Sequence, residues 1–437
     1  VALVDKLRGI VGPAHVLTGV ELSPFAIEGR TPEAAVFPGT VDEVAAVVAH
    51  AAETAVPVVP WGGGSAIGVG VPPTAAGLVL VLTRLGALVE HEPGDLTVTA
   101  QAGMTLAALQ SALRARGQWL SLDPPDAECA TLGGVLAANA SGPRRHLYGT
   151  ARDLLIGVTV VTADGAVVRG GGKVVKNVAG YDLPKLFIGS FGTLGVIVEA
   201  TVKLRPTPDE ERLVAVAFDR LNDAGTALRA VLSSDLIPNA VDLLDAASGA
   251  ALGLPSSAAT LVIGFDGLGE QVDWQVAQLA GVVGACGGAK PAALSPATWL
   301  RLASAARDAF DAPAAIMTLS VLPGAVVETV EQGAEAARRR GLASAWCAHA
   351  GVGHVTATLR AESSRPDPAP LAAVLEEWRA AAHAGGGHAS LAWAPLPVKA
   401  ALPVWDDAGP AGRLMQRIKA QLDPKNVLNP GRFVAGI

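Results

Sequence analysis

Three glycine-rich stretches in the first half of the chain carry the residue types best suited to gripping a long, phosphate-bearing ligand. They read WGGGSAIGVG at Trp61–Gly70, ATLGGVLAANASG at Ala130–Gly142 and GGKVVKNVAGYDLPKLFIGSFGTLG at Gly171–Gly195. Without a Cβ the backbone can approach a ligand closely, and successive N–H groups can converge on phosphate oxygens as a nest that needs no basic side chain. The first stretch is not a Rossmann fingerprint, because Ile67 stands where the third glycine of G-x-G-x-x-G belongs and Pro72–Pro73 oppose an immediate helix. Nor is it a Walker loop, since no Gly-Lys-Ser/Thr follows. Taken singly, each stretch also reads as an ordinary turn between strands. Their succession after apolar runs and after the rigid turn Asp123-Pro124-Pro125-Asp126 favours one ligand held along its length.

The second half offers imidazoles. In His349-Ala350-Gly351-Val352-Gly353-His354-Val355-Thr356 the two histidines are five apart, so a regular strand sends them to opposite faces. A metal shared between them needs a bulge at Gly351 or Gly353, and the expectation is no metal site. Catalytic residues stay undefined, with His349 and His354 as the candidates. His383 and His388 bracket Gly385–Gly387 and read as loop residues. Cys129, Cys286 and Cys347 are widely spaced without C-x-x-C, which encodes no disulfide framework, zinc site or iron–sulfur cluster and fits a reducing cytoplasm. Both tyrosines, Tyr148 and Tyr181, fall in the first half, leaving Arg301, Arg307 or Arg360 as anion partners in the second.

Elements that position these groups follow from periodicity. Thr40-Val41-Asp42-Glu43 is a capping box, and Val44, Val47 and Val48 continue it as an amphipathic helix to Ala55 that feeds a strand at Val56–Pro60. The WGGGS loop therefore opens at a strand's C-terminal end, where α/β structures commonly bind ligands. Strands are expected at Leu78–Leu82, Leu96–Ala100, Leu154–Thr162, Ala166–Arg169 and Val196–Leu204, with Asp164-Gly165 as a hairpin turn. Beyond Arg212 a β-α-β-β-α order occurs twice, read as two ferredoxin-like halves. The 437 residues allow two or three domains, and 50% hydrophobic with 17% charged residues is a globular composition. A net charge of −7 argues against nucleic acid or an anionic membrane as the main partner. The opening VALVDKLRGIVG reads as an amphipathic helix rather than a signal peptide, and the uncharged run Ala246–Phe265 as strand and loop rather than a membrane span.

Pro60-Trp61-Gly62-Gly63-Gly64-Ser65, Thr131-Leu132-Gly133-Gly134 with Asn139-Ala140-Ser141-Gly142, Lys173 to Leu183 (KVVKNVAGYDL) and Gly192-Thr193-Leu194-Gly195-Val196-Ile197 together resemble the PCMH-type FAD-binding domain of the vanillyl-alcohol-oxidase superfamily, most closely its glycolate oxidase and D-2-hydroxyacid dehydrogenase branch. The resemblance covers residues 30–207 and the last twenty or so. It implies an α+β chain: a two-subdomain FAD-binding domain at 1–207, a ferredoxin-like cap at 208–405 and a tail at 406–437 that returns to the FAD domain. It implies noncovalent FAD, since the first glycine loop has no His, Cys or Tyr for attachment, with Cys129 and His146 as packing residues. The cofactor-binding positions it implies are Pro60, Trp61, Gly62, Gly63, Gly64, Ser65, Gly68, Pro125, Thr131, Gly133, Gly134, Asn139, Ser141, Gly142, Gly195, Ile197 and Asn429, with Arg432 nearby.

Two departures bear on activity. Catalytic relatives carry H-A-G-D-G-N-x-H with a metal-binding histidine where this chain has Val352, His354 and Thr356, and Ser-Glu-Gly-Thr-Leu-Gly where it has Phe191. The apolar Phe191, together with KNVAGYD at 176–182 and the tail NPGRF at 429–433, looks most like the second FAD-binding subunit of bacterial glycolate oxidase. That family implies a small 2-hydroxy acid substrate, a second flavoprotein subunit and an iron–sulfur subunit, with no nucleic acid, no integral membrane segment and a cytoplasmic place, peripheral to a membrane only through partners. A self-sufficient D-2-hydroxyacid dehydrogenase and a flavin-holding assembly or relay subunit remain the alternatives.

Overall fold

The computed structural model describes residues 2–75, 77–173, 181–361 and 368–437; most of the KVVKNVAGYDL motif, residues 174–180, lies outside them. The chain divides into two compact units, one of Val1–Ala140, Thr150–Thr207 and Asp407–Ile437, the other of Ser141–Gly149 and Pro208–Asp406.

The first unit holds two sheets. In the smaller, β1 (Val16–Leu17), β2 (Ala34–Val36), β3 (Val58–Trp61) and β4 (Leu78–Val81) run in the order β1-β2-β4-β3, with β4 parallel to both neighbours. Parallel strands need a crossover, and the helix Val41–Thr54 provides it, burying Val44, Val47, Val48 and Ala51. Its start is the box expected, slightly shifted: Thr40 Oγ1 accepts from Glu43 N at 3.1 Å, while the Glu43 carboxylate takes the Gly39 N–H at 2.7 Å. In the larger sheet, β5 (Leu88–Glu92), β6 (Thr97–Gln101), β8 (Leu155–Val161), β9 (Val167–Gly171) and β10 (Val196–Lys203) are antiparallel in the order β5-β6-β10-β8-β9, while the short β7 (Gln118–Trp119) and β11 (Arg205–Pro206) pair separately. The β8–β9 hairpin turns on Asp164, whose Oδ1 accepts from Thr162 Oγ1 at 2.6 Å and Ala166 N at 3.1 Å.

One glycine-rich stretch is not a loop. Leu132–Ala138 is a helix, capped by Thr131 Oγ1 accepting from Gly134 N at 3.3 Å. Gly133 is needed there for packing, since a Cβ would sit 2.6 Å from that of Ala102. The helix packs Val135 and Leu136 into the core, a tertiary gain that outweighs glycine's poor helix propensity.

The second unit is one eight-stranded sheet of β12 (Glu210–Phe218), β13 (Ala240–Asp245), β14 (Ala259–Gly267), β15 (Ala292–Ala293), β16 (Ala315–Ser320), β17 (Ala343–His349), β18 (His354–Arg360) and β19 (His388–Trp393). Its order, β15-β12-β14-β13-β17-β18-β16-β19, is two ferredoxin-like sheets joined where the second strand of each half, β13 and β17, pair. Within the uncharged run Ala246–Phe265 the sequence hides a short helix, Ala246–Ala251, which Asp245 caps by accepting from Ser248 N at 2.8 Å. Helices Val326–Arg339 and Pro368–Ala384 cover one face of the second half, burying Val330, Leu371 and Trp378.

Candidate functional site

The glycine-rich elements of the first unit converge on one groove. Pro60, Trp61, Gly62, Gly63, Gly64, Ser65, Thr131, Gly133, Gly134, Gly195, Ile197 and Asn429, all expected from sequence, line it, joined by Ala66, Ile67, Leu82, Ala137, Ala138, Phe191, Gly192 and Arg432. The glycines are forced by close approach. A Cβ on Gly62 would lie 2.1 Å from Thr131 Oγ1 and one on Gly63 1.7 Å from the Cys129 carbonyl oxygen, while Gly64 holds φ +80°. The loop after β3 is thus pressed against the start of the 132–138 helix, leaving no room for side chains.

Five expected residues are not in that lining. Asn139, at φ +48°, ends the 132–138 helix and its Oδ1 accepts from Arg152 N at 3.0 Å, a structural duty. Gly68 and Pro125 lie outside the lining, and Ser141 and Gly142 belong to the second unit.

The C-terminal tail enters the groove through a buried ion pair. Lys419 Nζ, in the helix Pro410–Leu422, donates to Asp423 Oδ2 at 2.6 Å and to the carbonyls of Thr193 and Leu428, both at 2.8 Å. Asp423 Oδ1 and Oδ2 in turn accept from Val427 N at 2.9 Å and Leu428 N at 2.7 Å. Burial lowers the lysine pKa and the aspartate opposes that shift. With the turn so fixed, Val427–Asn429 runs beside β3: Val58 N donates to Val427 O at 2.7 Å and Asn429 N to Val58 O at 2.8 Å. Asn429 Nδ2 donates to Phe191 O at 2.7 Å, and its buried Oδ1 has no partner. Arg432, 2% exposed, donates to the carbonyls of Val71 and Ile67, so it braces the glycine loop. Burial pushes its pKa down to about 10, still a cation at neutral pH. Among the described residues it is the charged group of the lining.

These features fit FAD: a cradle of backbone that a Cβ would fill, an orphaned amide oxygen, apolar walls and one cation for a dianionic pyrophosphate. Sequence reasoning missed Phe191 and Gly192 as lining and treated Arg432 only as a neighbour.

In the second unit a separate polar cluster forms. His349 Nδ1 lies 2.9 Å from Asp242 Oδ1, and both residues are buried. His349 and His354 do not face opposite ways as expected. Residues 350–353 turn the chain, β17 and β18 pair His349 with His354, and the rings stack at 5.8 Å. Burial, aided by Arg145 and His349, holds the His354 pKa well below the usual imidazole value. Burial also lowers that of His146, opposed by Asp242 and the Gly351 backbone. The Cys347 thiol is pushed well up, first by burial and then by Asp242 and Asp245. Tyr148 belongs to this unit rather than to the flavin half, its hydroxyl donating to Asp266 Oδ2 at 2.5 Å. Of the arginines considered as anion partners, Arg301 donates to the Ala251 carbonyl, Arg307 pairs Asp308 at 2.9 Å and Arg360 stacks on Phe310 at 4.8 Å. His383 is helical, with Nε2 2.8 Å from Asp406 Oδ2, and His388 opens β19. The signal for Asp242 was available, as a lone carboxylate inside the apolar run Ala240–Leu244.

Residues 32–171 match the FAD binding domain family, and residues 207–391 and 406–433 match the C-terminal domain of FAD linked oxidases. The chain belongs to the FAD-linked oxidases. It is 30% identical over 429 residues to glycolate oxidase subunit GlcD of Bacillus subtilis, spanning 92% of this chain and 89% of that one. Glycolate oxidase subunit GlcE of Escherichia coli is 43% identical over 122 residues, 28% of this chain and 35% of that one. Among solved structures, p-cresol methylhydroxylase with substrate bound shares the fold with a TM-score of 0.80 at 19% identity, covering 100% of this chain and 96% of that one. This FAD-linked oxidoreductase thus joins a PCMH-type FAD-binding domain to an α+β C-terminal domain. Among the described residues no helix is long and apolar enough to cross a membrane.

Proposed function

We propose that this chain is a flavoprotein subunit of a glycolate oxidase type complex. It holds FAD noncovalently and takes part in oxidising the CH–OH group of a small 2-hydroxy acid to a 2-oxo acid. The observation that carries the reading is an intact dinucleotide groove alongside an altered histidine segment. The groove keeps its glycine cradle, Asn429 and Arg432, while Val352 and Thr356 stand where the resemblance calls for an acid and a second histidine. Noncovalent binding is supported by a described lining without histidine, cysteine or tyrosine.

When bound, FAD supplies a hydride acceptor. The chain's own part would be to hold it: the N–H groups of the 62–65 loop would serve the pyrophosphate as a nest, Arg432 would offset part of its charge, and the unpartnered Asn429 Oδ1 would accept a hydrogen bond from it. Oxidising a hydroxy acid also requires a base for the hydroxyl proton and a clamp for the carboxylate. In this reading a second flavoprotein subunit and an iron–sulfur subunit complete that machinery and carry electrons onward.

The test is anaerobic mixing of the purified chain, alone and with co-expressed partners, with glycolate and D-lactate while the flavin spectrum is followed. Expected are slow bleaching alone and fast bleaching in the complex. Fast turnover by the isolated chain that disappears in His349→Ala refutes the proposal in favour of a self-sufficient dehydrogenase.

A further inference from the structure

In the second unit the helix Gly269–Gly284 turns Val272, Gln275, Leu279 and Val283 inward. Its opposite face should carry charge, as solvent-facing helix surfaces usually do. The helix Val326–Arg339 obeys that rule, exposing Glu328, Glu331, Arg338 and Arg339. The helix Gly269–Gly284 does not. No charged residue stands between Trp274 and Ala289, and the exposed side is formed by Trp274, Ala277, Gln278, Gly281 and Gly284. Trp274 leaves 51% of its surface in water. Ile237, 63% exposed, is tied to the same helix by its N–H, which donates to Gln275 Oε1 at 2.7 Å, and Leu268 at the helix start is exposed as well. Apolar side chains gathered in this way mark an interaction surface.

Gly281 gives that surface its shape. Glycine is a poor helix former, and nothing inside the chain calls for it here, since its φ is not positive and a Cβ would meet no atom within 4 Å. With Gly284 it leaves a stretch of bare backbone that another helix can approach closely. At 1.5 Å per residue Trp274 and Gly281 stand about 10 Å apart on one face. A projecting indole at one end and bare backbone at the other make a surface that complements itself when turned end for end, which is what a two-fold axis requires. The charges agree with that direction. Around the N-terminal end Glu210, Glu270 and Asp273 outnumber Arg212, which pairs with Glu210 and Asp273, while the exposed Lys290 follows the C-terminal end. An antiparallel copy therefore brings the acidic end of each helix to the basic end of the other and sets the helix dipoles in opposition. We propose that the chain forms a two-fold dimer through this helix, with Trp274 seated on the partner subunit's Gly281 and Gly284. A second copy is the occupant because one face supplies both the knob and the bare surface that receives it. The proposal concerns the surface of one unit and does not rest on the hydroxy-acid reading.

The experiment is sedimentation velocity of the full-length, FAD-loaded protein at low ionic strength over a wide range of loading concentrations. Expected is a dimer with a dissociation constant on the order of a micromolar or tighter. Trp274→Ala should weaken it at least about 30-fold, the loss that follows truncation of a central tryptophan anchor. Gly281→Leu should give a monomer with no loss of FAD or thermal stability, because the added side chain has room in the free chain and leucine is the better helix former. Glu270→Lys and Lys290→Glu should each weaken association by about two- to fivefold, the size of an exposed ion pair, and the double reversal should restore it. FAD content reports folding in every variant. A chain that stays monomeric well above micromolar concentration overturns the proposal, the face then being left to a different subunit. So does a dimer equally tight in Trp274→Ala and Gly281→Leu, or charge reversals without effect or without recovery in the double variant.

Discussion

Replacing Asp423 by alanine should release the C-terminal tail and with it the cofactor. The side chain is 1% exposed and accepts from three donors, the Lys419 ammonium and the Val427 and Leu428 amides. Breaking a buried pair by removing one partner costs about 3–5 kcal/mol, because the other charge stays uncompensated. Each orphaned amide adds about 1 kcal/mol or more. Since the three bonds share one carboxylate these costs do not sum, and Lys419 keeps the Thr193 and Leu428 carbonyls. A net cost of about 4 kcal/mol is a fair expectation, close to a thousandfold at about 1.4 kcal/mol per factor of ten. Urea titration followed by flavin fluorescence and far-ultraviolet circular dichroism reads it. The FAD-release midpoint should fall well below that of the wild type, because Asn429 and Arg432 enter the groove only when the tail is docked. The double variant Asp423→Ala/Lys419→Met should recover part of the loss, since it no longer buries an unpaired charge. An Asp423→Ala protein that keeps FAD with a midpoint within about 1 kcal/mol of wild type would refute the argument.

Three further outcomes are expected. Gly63→Leu, which forces side-chain atoms into the Cys129 carbonyl, should abolish FAD occupancy, measured as the ratio of flavin to protein absorbance; full occupancy would remove this loop from the site. Asp245 has its pKa raised from 3.8 to about 6, chiefly by burial. Because the folded state therefore holds the proton longer than the unfolded one, its contribution falls as pH rises from about 4 to 6, by on the order of 3 kcal/mol. Asp245→Asn, which can still cap the 246–251 helix, should flatten stability over that window, and an unchanged pH profile would count against it. Limited proteolysis should cut first near Thr207–Asp209, between β11 and β12, where the chain passes from one unit to the other; cuts confined to residues 41–204 would disprove it.

Much of the framework was legible because it is written in local terms. Thr40 and Glu43 announce a helix start, alternating valines mark β8 and β10, Asp164-Gly165 marks a hairpin, and the repeated β-α-β-β-α order declares the ferredoxin-like halves. The glycine cradle was legible too, since only glycine tolerates such close backbone contact. Other features depended on partners distant in sequence. The 132–138 helix looks like a glycine-rich loop until Ala102 and the core pack against it. Residues 141–149 read as part of the flavin half, yet they belong to the second unit, where Tyr148 meets Asp266 and Arg144 meets Glu211. Asp242 acquires meaning only when strand pairing sets it against His349 and Cys347, and Asn429 and Arg432 only when a buried lysine bends the tail back to β3. Periodicity and turn chemistry report on neighbours along the chain. The environment of a buried charge is made by residues tens to hundreds of positions away, and folding alone brings them together.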